Sequence, residues 1–294
     1  MKSAAELHLR NLIMTKPAEQ VAETGSITRE QLTKLVVAGD PRRLIDRSRG
    51  IWNPRDLSAT LSVVSSPDSE HADADLGNSL FRYDYRKGST KGDNTKLRRA
   101  HELGLPIILL RKIRDGIYVP IFPVYVIGDD AQARQFVFAL DESLRFLRDP
   151  LNPAADERAY AERITKQRLH QAEFRGCILR AYETQCAVCN LKHGRLLDAA
   201  HIIADGADDG APIVNNGLSL CKIHHSAYDN NLMGISPDYV VHIDRDLMHE
   251  RDGPMLRYGL QEMDGRALTT PKSRRERPDP ERLEQRYSAF GRAS

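Results

Sequence analysis

Two short pairs, Cys186-Ala-Val-Cys189 and Cys221-Lys-Ile-His224, constrain this chain more than any other feature of its sequence. Cys-x-x-Cys followed after a loop by Cys-x-x-His is the spacing of a closed tetrahedral zinc site, which takes four N/S ligands and leaves no open position. Zinc held this way staples two distant segments and contributes folding energy, not chemistry. Cys186 and Cys189 alone would also fit a redox pair or two buried thiols; the downstream pair turns the reading to Zn²⁺. Cys177 lies in an apolar-periodic stretch with Phe174, Ile178, Ala181 and Tyr182, and reads as core. Cysteines used as ligands and not as bridges fit a reducing, cytoplasmic setting.

Between and after these pairs stand Asp198-Ala-Ala-His201-Ile, Asn215-Asn216-Gly217-Leu218 and His225-Ser-Ala-Tyr-Asp229. His201 and His225 lie outside the foursome. A histidine in Ala-Ala-His-Ile is ordinarily a satisfied core residue; an asparagine and a His-His pair downstream change that reading. His225 and Asp229 are spaced i, i+4, so on a helix both face a single ion. Asp198, on a strand three residues before His201, is placed to add a carboxylate. Such a mixed N/O set with open positions suits Mg²⁺, Mn²⁺, Co²⁺ or Ni²⁺.

Strand with histidine, loop with asparagine, then a helix opening on Cys-x-x-His-His resembles the HNH, or ββα-metal, endonucleases. Arg168-Leu-His-Gln171, Phe174-Arg175, Leu197-Asp-Ala-Ala-His-Ile202 and His225-Ser-Ala-Tyr-Asp229 are similar to the HNH domains of bacterial modification-dependent restriction endonucleases. The likeness covers residues 158–265. It extends over residues 25–145 through Gly50-Ile-Trp-Asn-Pro54, Phe81-Arg-Tyr-Asp-Tyr85 and Asp93-Asn-Thr-Lys-Leu-Arg98. Families of this kind join a reader of modified DNA to an HNH cutter. The resemblance implies that His201 is the catalytic base and that Asn216, directly before Gly-Leu, holds the imidazole tautomer through its side-chain carbonyl, with Asn215 as competitor. It further implies that His225, Asp229 and Asp198 bind the catalytic divalent metal. Many HNH nucleases carry His or Asp immediately before the base, where this chain has Ala200; the third ligand stays open, with Asp198 the candidate.

A chain of 294 residues suits two domains. The net charge of +2 does not announce nucleic acid, so any phosphate-binding face must come from local clustering. No run approaches the ~18 apolar residues of a membrane span, and the first residues are too polar for a secretory signal. Ser26 to Glu30 reads as a capped start to a helix through Leu32, Leu35 and Val36 to Gly39. Residues 50–54, 61–64 and 81–85 read as extended, Ser65 to Asn78 as a polar loop, and Thr95 to Leu103 as a basic helix ended by Gly104. Four β-rich runs (106–110, 116–119, 121–127 and 135–140) argue a mixed sheet or small barrel, with Pro123 marking an edge or bulged strand.

The expected fold class is α+β: a β-rich, PUA- or SRA-like domain over residues 1–148, a linker at 149–160, a zinc-stapled ββα-metal domain at 161–265, and a tail at 266–294. That tail carries Lys272, Arg274, Arg275 and Arg277 before a helix near Pro280–Phe290. In the first domain Trp52, Tyr83, Tyr85, Lys96, Arg98 and Arg99 are candidates to bind DNA, with Arg86, Lys87 and Lys91 nearby. Strand aromatics are ordinarily core; the functional alternative is a cage for a flipped, modified base. The expected function is a modification-dependent, type IV-like endonuclease hydrolysing base-modified double-stranded DNA, as a possible homodimer. The alternatives are a non-catalytic zinc-stabilised DNA-binding protein on an HNH scaffold, or an HNH nuclease reading phosphorothioate or unmodified DNA.

Overall fold

The computed structural model describes residues 2–66, 80–85 and 92–293. Most of the Ser65–Asn78 stretch, with Arg86, Lys87 and Lys91, falls outside them. The chain forms two compact units: residues 1–21 with 26–173, and residues 22–25 with 174–294. The segment 149–160 therefore lies inside the first unit.

The first unit contains most of α1 (Lys2–Thr24), then β1 (Ile27–Thr28), α2 (Arg29–Thr33), β2 (Val36–Val37), β3 (Asp40–Pro41), β4 (Ile51–Trp52), β5 (Ser62–Ser65), β6 (Phe81–Asp84), α3 (Asp93–Glu102), β7 (Ile107–Arg114), β8 (Ile117–Asp130) and β9 (Gln135–Ala139). Its sheet runs β4-β5-β7-β8-β9-β6, with β1 added to β8. The predicted helix to Gly39 is cut short. Thr28 and Gln31 close a capping box on α2, but Ala38 and Gly39 both take positive φ and turn the chain into the β2–β3 hairpin. Pro123 is in a central strand: β8 pairs with both β7 and β9, and the ladder breaks register beside the proline, between Ile107 and Leu109. That irregularity accommodates the missing N–H.

Buried Arg10 fixes α1. Its guanidinium donates to the carbonyls of Ala59, Thr60 and Pro106, and Glu6 neutralises it at 2.9 Å. Leu169, on α4 (Ala155–Ala181), packs in the core with Tyr83, Tyr85, Phe136 and Phe138, so this unit's core draws on residues well past position 148.

The second unit starts with the rest of α4. It continues through β10 (Leu197–His201), β11 (Gly217–Cys221), α5 (Lys222–Asp229), β12 (Met233–Ile235), β13 (Val241–Ile243), α6 (Arg245–His249), α7 (Pro254–Gly259) and α8 (Pro280–Ala293). One core joins Phe174, Ile178 and Tyr182 of α4 to Leu197, Leu218, Leu220 and Tyr228. The expected tail belongs to this core through Leu268 and Leu283, and Arg286 of α8 stacks over Tyr228 while donating to its backbone carbonyl. Of the basic run, Lys272 pairs with Glu183 at 2.5 Å, and Arg274 and Arg275 are exposed.

Candidate active site

Cys221 ends β11 and stands at the N-cap of α5, so a strand end and a helix start deliver Cys221 and His224 to one point. Among the described residues, Cys186, Cys189, Cys221 and His224 form the one Cys/His/carboxylate group whose donor atoms all lie within 4.8 Å of one another. His224 turns Nδ1 inward, 3.1 Å from Cys221 Sγ and 3.5 Å from Cys186 Sγ, while Nε2 faces the Gly259 carbonyl at 2.8 Å. An imidazole anchored through one nitrogen presents the other as a ligand, as metal-binding histidines usually do. The sulphurs perturb one another strongly: Cys189 and Cys221 push the buried Cys186 thiol up, while Cys186 and Cys189 pull the Cys221 thiol down. Burial opposes charge on His224, yet Cys189 and Cys221 raise it to about 9. Three sulphurs and an imidazole crowded in this way fit one zinc ion. Cys177 is half-buried on α4 and takes no part.

The β10–β11 hairpin pairs Asp198 with Leu220 and His201 with Gly217. α5 follows at once, burying His224, Ala227 and Tyr228 and turning His225 and Asp229 to the opposite side. His225 Nδ1 lies 3.3 Å from Asp198 Oδ2, and its Nε2 lies 3.3 Å from Asp229 Oδ2. Strand and helix thus bring together the three residues expected to hold a catalytic metal. The two carboxylates address opposite ring nitrogens, however, so His225 shares its ligating nitrogen with one of them at a time. Lys222 Nζ takes the other Asp198 oxygen at 2.5 Å. Burial pushes the Asp198 carboxyl up, but Lys222 and His225 hold it below its ordinary value.

His201 is half-buried, and its Nε2 is enclosed with no hydrogen-bond partner. Burial lowers its pKa; Asp205 raises it, His225 lowers it and Asp229 raises it, which puts all three close enough to act on the ring. Phe174 stacks on the imidazole with centroids 4.0 Å apart and planes at 16°.

Asn216 departs from its expected part. Fully buried, it accepts from the Ile203 N–H at 2.9 Å and donates to the carbonyls of Ile203 at 3.0 Å and Ala211 at 3.1 Å. Both amide hydrogens go to the loop after β10, so this side chain closes the loop and does not set the tautomer of His201. Asn215 leaves Oδ1 buried and unpartnered, while its backbone carbonyl accepts from Asp279 N–H at 2.9 Å.

The residues expected to read DNA do not form one site. Tyr83 and Tyr85 are buried, stacked on or tilted against Phe138 and Phe136, and Trp52 packs in a different cluster with Nε1 on the Arg43 carbonyl. Their alternation marks a strand whose aromatic face is core, so the expected cage is not formed by these rings. Arg98 is held by Asp129 at 2.5 Å and by the Tyr85 hydroxyl, Lys96 by the carbonyls of Leu57 and Ser58, and exposed Arg99 by Glu102.

Arg175 is a functional residue that the sequence shows only as the neighbour of Phe174. Its guanidinium donates to the carbonyls of Ala22, Gly194 and Leu197, anchoring the start of β10. The adjacent Phe174 and Arg175 on one helix give no hint in the sequence of those backbone partners.

Residues 186–236 match the HNH endonuclease family model. The second unit therefore carries an HNH domain, in which β10, β11 and α5 supply the two strands and the helix. Among solved structures the chain is similar to the modification-dependent TagI restriction endonuclease, at 16% identity and a TM-score of 0.31, covering 90% of this chain and 92% of that one. It is also similar to the type IV phosphorothioation-dependent restriction endonuclease ScoMcrA, at 14% identity and a TM-score of 0.23, covering 62% of this chain and 48% of that one. No curated protein matches the sequence. No helix among the described residues is long and apolar enough to cross a membrane.

Proposed function

We propose that the protein is a metal-dependent endonuclease that hydrolyses phosphodiester bonds in double-stranded DNA. One observation carries this reading: on the segment matched by the HNH model, Asp198 and Asp229 each lie 3.3 Å from one nitrogen of His225, and His225 and Asp229 act electrostatically on His201. In this reading His201, held neutral by burial, takes the proton from the attacking water. Asp198, His225 and Asp229 would hold the divalent ion, which when bound stabilises charge on the phosphate and leaving oxygen. Cys186, Cys189, Cys221 and His224 would hold a structural zinc. Asn216 and Arg175 keep the hairpin and its loop in shape.

The finer reading is that the first unit recognises base-modified DNA and directs the cutter to it. The sequence resemblance over residues 25–145 supports this. Full-length, zinc-loaded protein should be assayed on base-modified, phosphorothioated and plain plasmid with Mg²⁺, Mn²⁺, Co²⁺ or Ni²⁺. Cleavage restricted to base-modified plasmid is the expected result. Equal cleavage of plain plasmid removes the finer reading, and no cleavage of any substrate with any metal removes the nuclease.

A further inference from the structure

The hairpin register sets Gly217 directly across from His201. A Cβ at Gly217 would lie 2.3 Å from Ile178 Cδ1 and 2.7 Å from Phe174 Cζ, both within forbidden contact. The missing side chain thus makes a slot in the strand, and the end of the Phe174 ring fills it. The face of the same ring lies parallel to the His201 imidazole at 4.0 Å. Phe174 is 3% exposed and wedged among Ile178, Leu218 and other core residues, so it has no freedom to turn away.

We infer that Phe174, seated in the slot left by Gly217, is a positioning residue that fixes the plane of the His201 imidazole for proton abstraction. The inference rests on the proposal that His201 is the base, and extends it. An imidazole has two torsions to fix, and neither Asn216 nor any hydrogen bond to Nε2 fixes them here. A flat ring packed face to face removes rotation about the last torsion without covering the ring edge that carries the nitrogens, which an aliphatic neighbour of equal bulk does not do. It also excludes water from one face of the base. Gly217, whose extended backbone any residue can adopt, is then explained by packing: any larger residue expels the aromatic ring from beneath the histidine. Tyrosine at 174 would meet the same obstacle, since its hydroxyl extends from Cζ, the ring atom that points at Gly217.

The geometry is read directly by NMR on the zinc-loaded protein. The ring CH protons of His201, assigned by their loss in His201→Ala, should resonate upfield of solvent-exposed histidines because they lie over an aromatic face. Unshifted resonances overturn the stacking. The function is read by Phe174→Leu, which keeps apolar burial and removes the flat face. It should lower kcat on the order of 10²-fold, the scale of a misplaced catalytic group, with KM for DNA unchanged and zinc still stoichiometric. Gly217→Ala should lower kcat in the same way, and in the Phe174→Leu background it should cost less than in the wild type, because of its two collisions only the one with the flexible end of Ile178 remains. Wild-type kcat in Phe174→Leu beside an inactive His201→Ala overturns the inference. Activity surviving in His201→Ala overturns instead the parent assignment of the base.

Discussion

Asp198 Oδ2 stands 3.3 Å from Nδ1 of His225, joining a strand residue to a helix residue 27 positions away. This pairing, shared with Lys222 on the other carboxylate oxygen, is what a divalent ion would enter. Asp198→Asn keeps the shape and removes the charge. The metal concentration for half-maximal cleavage should rise on the order of 10–100-fold, as when a group supporting a metal site is lost. A metal titration that leaves the midpoint unchanged removes Asp198 from the site.

His201→Ala should abolish cleavage, by on the order of 10²–10⁴ in rate, while DNA binding and zinc content hold. Single-turnover cleavage beside an electrophoretic binding assay separates the two. Cleavage within a few-fold of wild type would show that another group abstracts the proton.

The pH profile follows from the burial of His201. Its folded pKa lies below the ordinary 6.5, so the neutral base persists to lower pH than a free histidine would allow. At saturating metal and DNA, the rate should rise with pH to a plateau, the limb centred below 6.5. The same shift acts on stability. The unfolded chain binds more protons between the folded pKa and 6.5, so the contribution is complete above 6.5 and lost as pH falls through the folded pKa. Replacing His201 by Ala should flatten that part of the stability profile.

Asn216→Ala should behave as a stability variant before it behaves as a catalytic one. It strands the N–H and carbonyl of Ile203, each lost buried partner costing about 1–3 kcal/mol. Aspartate should fail to rescue, since it cannot donate to the two carbonyls. Faster exchange of the Ile203 amide is the local signature. Normal protection there, with activity lost, would return Asn216 to a direct part in the chemistry.

Cys186→Ser should lose zinc and the fold of the second unit together, because binding and folding energy are one quantity in such sites. Elemental analysis of the wild type should give one zinc per chain. A well-folded preparation free of zinc would refute the four-ligand assignment.

What could be read from the sequence was whatever is written at short range. The two Cys/His pairs and the i, i+4 pair of α5 carry their geometry in their spacing, and the Ser26–Glu30 stretch marks a helix start, although the capping pair proves to be Thr28 and Gln31. Residues that act at a distance were hidden. Asn216 looked like a partner of His201 because nothing local says that its amide reaches the backbone of Ile203 and Ala211. Phe174 looked like one more core residue, and only the hairpin register reveals what faces it. Tyr83 and Tyr85 gave the strand by alternation, but period two does not say which side meets solvent. The short α2 followed from two positive-φ residues, one of them an alanine that composition does not flag.

The clamp formed by Asn216 has one more consequence. By tying Ile203 and Ala211 to a single side chain, it makes the intervening residues a bridge whose two abutments are fixed from below. Asp208 and Asp209 can then be exchanged or made basic without disturbing the histidine at the strand end, whereas Asp205, whose charge acts on that ring, cannot. A lineage could retune how this rim meets a polyanion while leaving its cutting edge untouched.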